Sequence, residues 1–172
     1  MTILKKILKF IDSMSEMAGS VGKWFAILLV LVGSFDAISR HFFNAPTIWA
    51  YDTMCMAGGI LYMLGASYDY KHDAHTRVDI IYGSLSKKSQ SIINIICSLF
   101  LFFPLMIVMF KVGVDWAMKA WKGGEVMFTS FWYPPAAPYR TIFALGILLL
   151  ILQGLARFIR EIYFVVRGES ID

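Results

Sequence analysis

Apolar residues run through this chain in blocks too long for the core of a small soluble domain, broken at a few sharply polar points. The blocks extend from Trp24 to Phe43, from Ile48 to Tyr70, from Ile92 to Lys111 and from Arg140 to about Phe158. Each approaches the ~20 residues that carry a helix across a bilayer core. The pattern predicts four transmembrane helices. Ahead of the first block, Ile3, Ile7, Ile11, Met14 and Ala18 recur at helical spacing with Leu4 and Leu8 beside them. Lys5, Lys6, Lys9, Asp12, Ser13 and Glu16 take the other side. That spacing predicts an amphipathic arm helix over residues 1–22, lying in the headgroup boundary with Lys5, Lys6 and Lys9 toward anionic lipid. Residues 23–172 then form the four-helix membrane domain. Between blocks two and three the chain turns polar, but Val78, Ile81, Tyr82 and Leu85 keep a helical period and predict a short interfacial helix.

The breaks carry their own signals. Asn44-Ala45-Pro46 should stop the first helix, and Thr47 is placed to cap the second. Gly58, Gly59, Gly65 and Ala66 in block two permit close helix contact. The pattern of block three continues toward Trp121, and Pro104 should kink it. Lys122 to Tyr139 reads as an aromatic, proline-rich loop suited to a shallow interfacial contact.

Composition supports the membrane class: 58% of residues are hydrophobic and 16% charged, against roughly 25% charged in soluble domains. The net charge of +4 then bears on topology and lipid more than on nucleic acid. Lys5, Lys6, Lys9 and Lys23, then Lys71, Arg77, Lys87 and Lys88, then Arg157, Arg160 and Arg167 fall on one side of a four-span chain. Arg40, Lys111, Lys119, Lys122 and Arg140 fall on the other. The basic side stays in the cytoplasm, so both termini are expected there. Cys55 and Cys97 lie inside apolar blocks as small hydrophobes and give no disulfide framework. The first long apolar block is followed by no small-x-small site, so no cleavable signal peptide is expected.

Charged groups at membrane depth are costly and usually face protein or water. Asp36 and Arg40 are spaced to pair on one helix face, and a structural pairing is the favoured reading. Asp52 sits in the first turn of block two, where a helix N-terminus favours a carboxylate. Gln153 and Arg157 again share a face, with Arg157 placed to snorkel to a lipid headgroup. Trp24 and Trp49 suit the interface. His72, Asp73, His75 and Asp79 lack the His-Glu-x-x-His pattern of a zinc helix, so no metal site is expected. No facing histidines offer haem ligation, and no nucleophile–base pair or phosphate loop occurs. The chain reads as a non-enzyme without a cofactor.

Arg40 and Asn44 followed by Trp49 and Asp52, then His75-x-Arg77-Val78-Asp79, then Trp121, Glu125, Pro138, Gly146 and Gln153, make an ordered set. In order and spacing it resembles the small membrane subunit of tripartite ATP-independent periplasmic (TRAP) transporters. Asp52 is a departure, since glutamate is the more usual residue there. The resemblance implies a scaffold subunit in a bacterial inner membrane. A large membrane subunit would carry the substrate and sodium sites and move as an elevator, a periplasmic binding protein would deliver a small organic acid, and phospholipid would sit at the subunit contact. Subunit-contact or buried polar candidates are Asp36, Arg40, Asn44, Trp49 and Asp52, then Arg77 and Asp79, then Trp121, Glu125, Gln153 and Arg157. Lys5, Lys6, Lys9, Trp24 and Arg157 are the lipid-contact candidates. Two other classes stay open at this stage: a membrane anchor for a redox enzyme, and a self-sufficient small channel or exporter.

Overall fold

The computed structural model describes residues 2–72, 82 and 85–169. These residues form four helices: α1 (Thr2–Phe43), α2 (Ala50–Lys71), α3 (Lys87–Gly123) and α4 (Ala136–Arg167). Among the described residues there is no strand beyond an isolated bridge between Val126 and Pro135. The interfacial helix expected around Val78 to Leu85 lies mostly outside the described residues, as do Arg77 and Asp79.

α1, α3 and α4 are long and apolar enough to cross a membrane. α2 is not in that set. It carries Asp52, Asp69 and Lys71 near its ends and small or hydroxylated residues along its length.

The arm and the first span are one helix. α1 runs unbroken through Gly22 for 42 residues, about 63 Å at 1.5 Å per residue, twice a bilayer core of about 30 Å. Its N-terminal stretch does not present the whole Ile3–Ala18 stripe to one surface. Leu8, Ile11 and Ala156 make a small core with Leu4, Leu152, Ile159 and Tyr163 packed against it. Ile3, Ile7, Phe10 and Met17 remain exposed. Lys6, Lys9 and Trp24 are exposed and Lys5 is half-buried.

Successive helices alternate in direction. Gly19 of α1 meets Tyr68 of α2, and Gly33 meets Met54. α2 runs alongside α4, with Gly59 against Tyr139 and Met63 against Gly146. α3 runs against α4, with Gly113 beside Ala144 and Phe102 beside Gly154. The helices therefore form a row, α1–α2–α4–α3, in which the N-terminal part of α1 also reaches α4.

The buried residues are mostly small: Ala50, Ala57, Ala117, Ala120, Ala136, Ala137, Ala144 and Ala156. Leu28, Leu31, Phe35, Phe100, Leu105, Val108 and many other large side chains point outward. A soluble domain reverses that arrangement. In lipid, helices gain little by hiding leucine from a solvent of the same polarity, and close contact through small residues decides the packing.

Inside α3, Ser98–Phe102 form one π-helical segment, and the Phe103 N–H bonds to the Ser98 carbonyl. This is where the proline effect falls. Pro104 has no N–H for the carbonyl four residues back, and its ring crowds that carbonyl. The wider turn just before it absorbs the mismatch while the helix continues.

Candidate functional site

The sequence-named polar residues gather at the two ends of the row. At one end, Asn44 ends α1 with φ of 50°, a left-handed conformation asparagine tolerates better than most residues. The Ala45 N–H bonds to the Ser39 carbonyl, and the Ser39 hydroxyl donates to the Ala45 carbonyl. The turn places Thr47 over Asp36. Arg40 Nε donates to Asp36 Oδ2 at 2.7 Å, while the Thr47 hydroxyl and N–H donate to Asp36 Oδ1. The expected Asp36–Arg40 pair therefore exists, and it holds the connector to α1, not a neighbouring helix. Thr47 serves Asp36 and does not cap α2, whose N-cap is Trp49 without a side-chain cap bond. Trp49 stacks on Phe35 with ring centroids 5.9 Å apart.

Asp52 is fully buried. Its carboxylate accepts from the hydroxyls of Thr129 and Ser130, 77 and 78 residues away. The aromatic loop thus folds back over the start of α2. Two backbone ties close its base, Met127 N–H to the Pro134 carbonyl and Ala136 N–H to the Glu125 carbonyl. Ser130 Oγ also accepts from the Trp132 N–H. Beside it, Glu125 pairs with Arg140, and the Arg140 guanidinium lies 4.3 Å from the Trp116 ring centroid. Trp121 Nε1–H donates to Thr141 Oγ1 at 3.0 Å. Trp121 therefore braces α3 against α4, and Glu125 ties the connector after α3 to α4.

At the other end, Gln153 is buried and joins α4 to α1 through two partners. Its side-chain oxygen accepts from Ser15 at 2.9 Å, and its amide donates to Asp12 Oδ1 at 3.0 Å. Arg160 grips the same Asp12 carboxylate through both terminal nitrogens. Arg157 parts from Gln153 despite sharing its helix. It lies over the Tyr70 ring, donates to the Tyr70 carbonyl at 3.4 Å and approaches Glu161. Arg157 thus packs against α2. Asn94 donates to Glu161 at 2.9 Å. Glu16 takes both Lys71 at 2.7 Å and His72 at 2.9 Å. His72 is the one member of the His72–Asp79 group among the described residues, and it belongs to this ion cluster.

Sequence reasoning missed Thr129, Ser130, Arg140, Asp12, Ser15 and Arg160 as partners. The spacing of Gln153 and Arg160 on one helix face was a usable signal, since seven residues is two turns. Nothing local marks Thr129 and Ser130, because their partner lies in another helix. Arrangements of this kind hold helices and connectors in register.

Over residues 29–163 the chain matches the family described as "Tripartite ATP-independent periplasmic transporters, DctQ component". No curated protein matches it.

Proposed function

Since the chain belongs to the DctQ component family of tripartite ATP-independent periplasmic transporters, and is on that footing a small membrane component of such a transporter, we propose that it is the non-catalytic scaffold on which the moving subunit works. In this reading α2 joins the three long apolar helices as a fourth span, and both termini lie in the cytoplasm of a bacterium. A large membrane subunit binds the apolar flank, carries the substrate and sodium sites and imports a small organic acid handed over by a periplasmic binding protein.

The observation that carries the reading is the row of helices fastened at both ends. Asp52 with Thr129 and Ser130 ties α2 to the α3–α4 loop. Asp12 with Gln153 and Arg160 ties α1 to α4. Between these ties the perimeter is large and apolar. Such a body resists shear while a partner domain moves past it. Arg40 and Trp49, partly exposed beside the fastened corner, are assigned to contacts with the other subunits.

The test is a detergent pull-down of the tagged chain from its native membrane with mass spectrometry, paired with substrate uptake. A large polytopic subunit should be recovered in near-equal amount. Recovery of a flavin or iron–sulfur protein in its place would assign the chain to a redox complex. If Arg40→Ala combined with Trp49→Ala leaves both complex yield and uptake unchanged, the contact assignment is wrong.

A further inference from the structure

The segment from Val126 to Tyr139 contains no charged residue, yet it is held by one. Asp52 draws in the two hydroxyls at the middle of the loop, and the residues flanking them are turned out: Phe128 is 80% exposed and Phe131 83%. Trp132 and Tyr133 are exposed beside them, Tyr133 sits in a left-handed turn with φ of 52°, and its ring packs edge-on to Phe128 at 5.9 Å. An exposed aromatic group held this firmly is built to present its rings.

We propose that the loop of residues 126–135 is a wedge seated in the headgroup layer of the outer leaflet, with Asp52 as its positioning residue. Three observations choose lipid as the occupant. First, the loop folds back onto the start of α2, where Thr129 and Ser130 reach Asp52. Second, the same end of the molecule carries other exposed apolar side chains, Phe42 and Phe43 at the end of α1 and Ile48 and Trp49 in the connector to α2, so the loop's aromatics join an end already rich in such groups. Third, the composition is aromatic, proline-rich and hydroxyl-bearing without charge. Aromatic rings with one polar edge settle at the headgroup level of a bilayer, whereas docking to a water-soluble protein is steered by charge, which this loop lacks. The two Phe side chains supply the buried apolar area, and the inward-turned Thr129 and Ser130 leave no hydroxyl of the pair in lipid.

The experiment uses the full chain in lipid nanodiscs, in a Cys55→Ser, Cys97→Ser background. A single cysteine replaces Phe131 or, as a reference for hydrocarbon exposure, Leu105, and carries an environment-sensitive fluorophore. Lipids with a nitroxide near the headgroup and aqueous iodide serve as the two quenchers. The label at 131 should be quenched several-fold more by the shallow nitroxide lipid than by iodide. Adding Asp52→Ala should reverse that ratio at 131 and leave the label at 105 in lipid, showing that the helices stay inserted. A label at 131 that iodide reaches as freely as it reaches free dye, in the parent as in the Asp52→Ala chain, would overturn the proposal. So would protection from iodide that arises only when the periplasmic binding protein is added. The inference rests on the membrane-spanning reading above, and the two fail separately: lipid quenching at 105 with none at 131 rejects the wedge alone.

Discussion

Asp52 and Gln153 solve the same difficulty, a buried polar side chain in a protein whose surroundings offer little water. Each is engaged at both ends of its functional group, Asp52 by two hydroxyls and Gln153 by Ser15 and Asp12. A hydrogen bond to a charged group is worth about 1.5–3 kcal/mol net, so Asp52→Ala should destabilise the chain by about 2 kcal/mol and free the loop. Asp52→Asn keeps one acceptor and should cost less. Thermal denaturation in detergent gives the ordering, and limited proteolysis within residues 126–135 should rise for Asp52→Ala first. Equal stability of all three chains would show that the carboxylate does not hold the loop. At the opposite end, Gln153→Leu strands Ser15 and weakens the hold on Asp12, a loss of about 1–3 kcal/mol. Adding Ser15→Ala should recover part of it, because replacing both partners by apolar groups removes the unsatisfied donor. A double variant no more stable than Gln153→Leu would assign the loss to Asp12 instead.

Helix contacts in this chain are decided by where a side chain is missing. A Cβ added at Gly146 would lie 2.8 Å from the Met63 Cβ and 2.9 Å from the Met63 carbonyl oxygen. Backbone has no rotamer to escape into, so Gly146→Ala must push α4 off α2, at a cost of about 1–3 kcal/mol typical of overpacking. A Cβ at Gly65 meets nothing within 4 Å, so Gly65→Ala should be neutral or gain up to about 1 kcal/mol of helix propensity. Parallel melting curves in detergent decide between them, and equal behaviour would mean the α2–α4 contact is looser than described. This also explains what the sequence revealed. Helix identities and the stop at Phe43 were legible because long apolar blocks and Asn44-Ala45-Pro46 act locally. The unbroken α1 was not legible. The Ile3–Ala18 spacing with Lys5, Lys6 and Lys9 opposite reads as an arm helix in the headgroup boundary, and what packs this part of α1 comes from far along the chain: Tyr68 of α2 at Gly19, and Ala156 and Arg160 of α4 at Leu8 and Asp12. Asp36 with Arg40 could be read from spacing, but the capture of Thr47 depended on the path of the turn. The role of Asp52 was anticipated by position and not by partner, because Thr129 and Ser130 come from far along the chain.

At the scale of the whole molecule, the alternating directions of α1 to α4 place Thr2 and Arg167 at the end shared by Lys71 and Lys87, and the turn at Asn44 at the end shared by Gly124 and Pro135. Leu8 packing on Ala156 and Asp12 gripping Arg160 fix the first pairing. Asp52 with Thr129 and Ser130 fixes the second. One decision then remains, which end faces the cytoplasm, and it is made by lysine and arginine near the helix ends, since acidic residues contribute little to that choice. Lys5, Lys6, Lys9, Lys71, Lys87, Lys88, Arg157, Arg160 and Arg167 lie at the first end; Arg40, Lys119, Lys122 and Arg140 lie at the second. The first end should therefore be cytoplasmic. A fluorescent protein fused after residue 172 should fold and fluoresce in the cytoplasm, and a cysteine at position 131 should be blocked only by a reagent with access to the outer face. Labelling of both positions from the same side would break the alternation of the helices. Labelling of the fused end from outside and of position 131 from inside would keep the row of helices and invert it, turning the Asp52-fastened loop toward the cytoplasm and removing it from the outer leaflet.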